Sequence, residues 1–125
     1  MSEERKEEFR ERTQAFASAT IRLFCTLPKT RTEVAVLGKQ LLRSGTSVAA
    51  NYREASRARS DSEFVSKIDQ CAQEADESML WLELLRDDCG IQSDQLGRLL
   101  KEADELIAIF VTMSKNVKQR LKDQE

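Results

Sequence analysis

Apolar residues recur at three- and four-residue spacing along nearly the whole chain, the period of a helix that buries one face. Three places interrupt it. Leu27-Pro28-Lys29 puts a proline where a helix interior needs an amide proton. Arg57–Asp61 is a polar stretch, and Cys89-Gly90-Ile91 offers a glycine suited to a left-handed C-terminal cap. Thr30…Glu33 and Ser60…Glu63 have the spacing of capping boxes, and Ser93-Asp94 reads as a helix start. The pattern predicts helices over about residues 3–26, 32–57, 61–88 and 93–122 in a single domain spanning 1–125. Rods of about 25 residues are about 38 Å long, and three short connections between four of them make an antiparallel up-down-up-down four-helix bundle, an all-α fold.

Placing residues 100° apart gives each helix an inward face. The first turns Phe9, Phe16, Thr20, Leu23, Phe24 and Leu27 inward; the second, Val34, Leu37, Leu41, Gly45, Val48, Ala49 and Tyr52. The third contributes Phe64, Ile68, Cys71, Ala72, Ala75, Met79, Leu82 and Leu85. The fourth contributes Leu96, Leu99, Leu100, Ala103, Leu106, Ile107, Phe110, Val111, Val117 and Leu121. Gly45 costs a helix about 1 kcal/mol against alanine, so its place on the apolar face predicts a close approach by a neighbouring helix. Ser44, Ser47, Asn51 and Glu54 form a narrow polar strip beside that face, expected to be a hydrogen-bonded seam against the third helix. Leu80 and Leu84 fall about 120–160° from the centre of the third helix's core face, with Trp81 on its flank. A lone bundle would expose them together, which is the composition of an interface core.

Composition narrows the chemistry. Hydrophobic residues make up 40% and charged residues 34% of 125, with four glycines and one proline, which leaves too little turn chemistry for an all-β fold. Histidine is absent, which removes Ser-His-Asp and Cys-His nucleophile systems and the usual zinc and di-metal bundle sites. Glu74 and Glu77, one turn apart and opposite Glu54, are the nearest approach to a carboxylate metal site, and they lack the histidines such bundles add. Cys25, Cys71 and Cys89 form no CxxC motif and suit reduced thiols in the cytoplasm. The longest apolar run, Leu106–Val111, is too short to span a bilayer, and the first twelve residues do not resemble a signal peptide. Neither an enzymatic activity nor a cofactor is expected.

Charge is partitioned by helix. Residues 29–60 carry seven Lys/Arg and two Asp/Glu, a net of +5, whereas residues 61–90 carry two and nine, a net of −7; the remainder balances, leaving −2. The second and third helices therefore attract each other. Lys39, Arg43, Arg53 and Arg57 lie within about 80° on the side of the second helix away from the core, a stripe able to track RNA or DNA phosphates. Against this stand a pI near 5.4 and few aromatics for stacking. Asp69, Asp76, Glu83 and Asp87 make a matching acidic stripe on the third helix, a landing place for a basic protein partner.

Arg43-Ser44, Ser47-Val48, Asn51 and Glu54, followed by Glu74-Ala75 and Trp81-Leu82, resemble the pattern of four-helix-bundle proteins encoded in intervening sequences of bacterial 23S rRNA genes. The resemblance runs from about residue 27 to 106; Ala55 stands where that pattern usually has glycine, which lets the second helix continue. That family is similar in turn to the accessory variability determinant of diversity-generating retroelements, a basic pentameric ring that binds nucleic acid and a reverse transcriptase. The resemblance implies a non-enzymatic interaction protein that forms a homo-oligomer, with a pentamer favoured; the candidate interface, Leu80, Trp81 and Leu84, comes from the helical phase above. It does not carry RNA binding to this acidic chain.

Overall fold

The computed structural model describes residues 1–125 and contains four helices: α1 (Glu3–Thr26), α2 (Thr32–Ser56), α3 (Asp61–Asp87) and α4 (Asp94–Asp123). They run alternately up and down, and every end lies within one residue of its expected place. α1 packs on α2, α2 on α3 and α3 on α4, while α1 and α4 close the ring most loosely. The Arg12 guanidinium holds that last pair, donating two 2.8 Å bonds to Glu102 and one of 2.9 Å to Glu105. No helix is long and apolar enough to cross a membrane.

The helix ends follow local chemistry. Ser2, Ser60 and Ser93 cap α1, α3 and α4, each hydroxyl accepting a backbone N–H three residues on. At α3 the reciprocal bond of a capping box shifts one residue upstream: the Glu63 carboxylate accepts from the Arg59 amide at 3.2 Å rather than from Ser60. The box expected at Thr30…Glu33 does not form. Arg31 occupies the cap position of α2 with no side-chain cap bond, and its guanidinium takes Glu33 at 2.9 Å while donating to the Cys89 carbonyl at 2.9 Å. A cation tying two connections together at one end of the bundle has displaced the local cap. Gly90, at φ 70°, turns the chain after α3 so that the Ile91 amide donates to the Leu85 carbonyl at 2.9 Å.

The core is continuous across all four helices. Tyr52 sits between Phe9 and Phe110, with ring centroids 6.1 and 6.2 Å away, linking α2 to α1 and α4. Leu41, Leu82, Leu85 and Leu106 fill it further along and are fully buried. Val111, expected inward, is 45% exposed, and Met113 and Ser114 are buried instead. The seam of α4 follows 4-3-4 spacing through Leu106, Phe110, Met113 and Val117, and Val111 falls on its flank. Thr13 and Thr20 are buried because their hydroxyls donate to the Phe9 and Phe16 carbonyls one turn back, at 2.7 and 2.9 Å.

Gly45 marks the close approach of α1 to α2. A Cβ there would lie 2.7 Å from Thr20 Oγ1 and 2.8 Å from its Cγ2, and one on Gly38 would meet Leu27 Cδ1 at 2.9 Å. Gly45→Ala is therefore expected to destabilise the bundle by about 1–2 kcal/mol, overpacking outweighing alanine's better helix propensity. In a urea double-mutant cycle the cost should fall when Thr20→Ala removes the two nearest opposing atoms and leaves only the Thr20 Cβ position at 3.1 Å; purely additive effects would contradict the steric account.

Candidate functional site

The polar strip of α2 meets α3 along a seam that collects most of the chain's unusual side chains. Ser44 and Ser78, both fully buried, share a hydrogen bond of 2.8 Å, and each also reaches a carbonyl of its own helix, Leu41 at 3.3 Å and Glu74 at 2.9 Å. Every hydroxyl in the dry part of the seam is thus satisfied. The Cys71 thiol points at the Val48 carbonyl 3.8 Å away, and burial pushes its pKa up to about 12, so it packs as a small apolar group rather than as a nucleophile.

The seam becomes charged toward solvent. Arg43 Nη2 donates to Glu77 at 3.1 Å, and Nη1 lies 3.8 Å from Glu74. At the other end Lys67 grips Glu54 at 2.7 Å. Ser47 and Asn51 lie half-buried between these pairs. Glu54, Glu74 and Glu77 are therefore each engaged by a cation, and no group of three or more His, Cys, Asp or Glu is arranged to hold a metal ion. Glu74 is the strained member. Its side chain is 21% exposed, and burial together with the neighbouring Glu77 holds its pKa above the usual carboxylate range despite Arg43. Its Oε2 is buried without a hydrogen-bond partner, as is the indole Nε1 of Trp81 two turns further along the same side of α3.

Beyond Trp81 the face turns apolar. Trp81 is half-buried and packs against the core, Leu84 is half-buried, and Leu80 is 48% exposed. The antiparallel register fixed by Ser44–Ser78 and Arg43–Glu77 places Val36 of α2, 54% exposed, level with Leu84. Sequence reasoning missed Val36 because it considered α3 alone; the residue's outward position on α2 was the available signal.

The basic stripe of α2 is divided. Lys39, Arg53 and Arg57 are exposed and free of ion pairs, whereas Arg43 is occupied by α3. Arg53 and Arg57 instead converge with Arg59, from the α2–α3 connection, around a hollow of about 650 Å³ that also carries Glu54 and Glu63. Helical periodicity could not include Arg59, which lies beyond the end of α2. On the acidic stripe Asp69 bonds to Lys118 at 3.2 Å and Asp87 to Arg86 at 2.6 Å, leaving Asp76 and Glu83 unpaired.

An antiparallel bundle with a hydroxyl-locked, charge-rimmed seam between its middle helices defines the class: a four-helix-bundle protein whose distinctive residues face outward along one pair of helices. The chain belongs to the family of 23S rRNA-intervening sequence proteins, whose family model matches residues 5–112 and so includes the entire seam. It is similar to a solved protein of unknown function from Bacteroides thetaiotaomicron VPI-5482, assigned to the S23 ribosomal protein family. The two share 32% identity with a TM-score of 0.76, over 85% of this chain and 97% of that one. No curated protein matches.

The raised pKa of Glu74 has a defined consequence for stability. A carboxyl whose folded pKa lies above its unfolded one binds protons more tightly when folded, so it opposes folding at neutral pH and relents as pH falls through the folded pKa. Glu74→Gln should accordingly raise the denaturation midpoint at pH 7, with the gain vanishing once the pH is below the ordinary carboxylate range. A loss of stability at pH 7 would show that the Arg43 attraction outweighs burial.

Proposed function

We propose that this chain is a non-enzymatic interaction module that works as a homo-oligomer through the Leu80–Trp81–Leu84 end of the α2–α3 face. The supporting observation is the grouping there of Leu80, Leu84 and Val36 beside the half-buried ring of Trp81. Scattered exposed leucines carry no meaning, but aliphatics gathered around an aromatic have the chemistry of an interface centre. The charge division favours a ring in which each copy uses two different surfaces, the basic outer side of α2 meeting the acidic outer side of α3 of the next copy. Five copies is the number that the resemblance to the retroelement accessory protein implies. Three free thiols, one of them exposed, fit a reducing cytoplasm.

Light scattering in physiological salt should give a mass several times 14.3 kDa at micromolar concentration; a monomer would remove the reading. Leu80→Glu combined with Leu84→Glu should dissociate the assembly with helicity intact, because neither residue belongs to the buried core.

A second reading, phosphate-tracking nucleic-acid binding, is favoured by one observation: Arg53, Arg57 and Arg59 form no ion pair and share one hollow. Reversing Arg53 and Arg57 to Glu should then weaken binding to unrelated RNA sequences alike and lower the salt slope by about 2, whereas Arg43→Glu, already neutralised by α3, should do less. Absence of any RNA or DNA shift by wild-type protein at low salt would eliminate this reading.

A further inference from the structure

We infer that the cleft at the opposite end of the bundle binds a single-chain anionic amphiphile of the fatty-acid class. The cleft is bounded by the start of α1, the α2–α3 connection and the last turns of α4, and is open to solvent with a volume of about 720 Å³. That falls within the roughly 300–1,000 Å³ of small-molecule sites, which pair an apolar lining with a few placed polar groups. Small side chains make the room: Ala55, Ala58 and Ala108 stand where larger residues would close it.

Floor and rim differ in character. Phe64, Met113 and Val117 give the floor an apolar surface continuous with the core. The rim carries Arg5, Lys6, Arg59 and Arg120 with one carboxylate, Asp61; Lys6 pairs with Glu3 at 3.2 Å, so Arg5 and Arg59 are the two cations left free in a chain whose net charge is −2. Asp61 accepts from Arg120 at 3.0 Å, while Arg5 and Arg59 make no ion pair; Arg5 lies over the Phe9 ring, 5.2 Å from its centroid. A ligand matching both parts needs a negatively charged head for the arginines and an apolar tail for the floor. A nucleotide would supply the charge but leave Phe64, Met113 and Val117 against a polar base and sugar.

The inference is independent of the assembly face, because the cleft and the Leu80–Trp81–Leu84 patch occupy opposite ends of α3. The test is calorimetric titration of the full chain with dodecanoate below its micelle concentration. One saturable site is expected, with decanoate bound about ten-fold more weakly for its two missing methylenes. Dodecyltrimethylammonium, with the same tail and opposite charge, should bind at least ten-fold more weakly than dodecanoate. Arg5→Glu with Arg59→Glu should weaken dodecanoate by a similar factor without changing helicity. Ala108→Trp, on the exposed wall, should block the tail while leaving the rim charges in place. No saturable heat, equal binding of the cationic amphiphile, or indifference to the double charge reversal would each overturn the assignment. So would capture by phosphatidylglycerol vesicles without binding of monomeric dodecanoate, which would make the rim a membrane-surface contact rather than a ligand site.

Discussion

The register of α2 against α3 is fixed by a pair of hydroxyls, Ser44 and Ser78, 2.8 Å apart in the driest part of the seam. Sliding one helix by a turn would break the bond between the two hydroxyls and leave each only its own helix's carbonyl, losing about 0.5–1.5 kcal/mol. Much of the surface chemistry depends on that register. It sets Arg43 beside Glu77 and near Glu74, brings Lys67 to Glu54, and aligns Val36 with Leu84. On the other side of α2, Gly45 admits the Thr20 side chain to a distance no Cβ would tolerate. The middle helix is thus held on one side by hydrogen bonding and on the other by steric fit.

Charge supports this arrangement without holding it together. The +5 of residues 29–60 and the −7 of residues 61–90 meet in only a few ion pairs, all partly solvated, and such pairs contribute about 0–1 kcal/mol each. Their effect is on specificity: a swapped packing order would separate the positive helix from the negative one and set each against a neutral neighbour. The exception to good pairing is Glu74, whose carboxylate is drawn into the seam farther than Arg43 can compensate.

The two ends of the bundle have become chemically different. At one end α2 and α3 present aliphatic side chains around Trp81; at the other, the start of α1 and the end of α4 flank a floor of buried residues rimmed by cations. Between them the bundle is closed by the Arg12 fork onto Glu102 and Glu105, the chief polar tie between its first and last helices. An antiparallel bundle separates such surfaces naturally, since each helix contributes its start to one end and its finish to the other.

The four helices, their ends and nearly all of the core were legible in the chain because each depends on local periodicity and on a few punctuating residues, Pro28, Ser60, Gly90 and Ser93. Gly45 announced a close approach because a glycine on an apolar helix face has few other uses. What the sequence could not settle were choices among competing partners. Glu33 had the spacing to cap α2, yet Arg31 took it, because Arg31 also reaches the Cys89 carbonyl from a connection 58 residues away. Val111 had the hydrophobicity for the core, but the 4-3-4 seam of α4 selected Met113 in its place. The stripe of four cations on α2 was real as a helical pattern, and only the packing of α3 removed Arg43 from it and added Arg59 from a connection. Periodicity along one helix is a property of that helix alone and so can be read from sequence, whereas which side chain wins a shared partner depends on distances between helices, and those exist only once the bundle has closed.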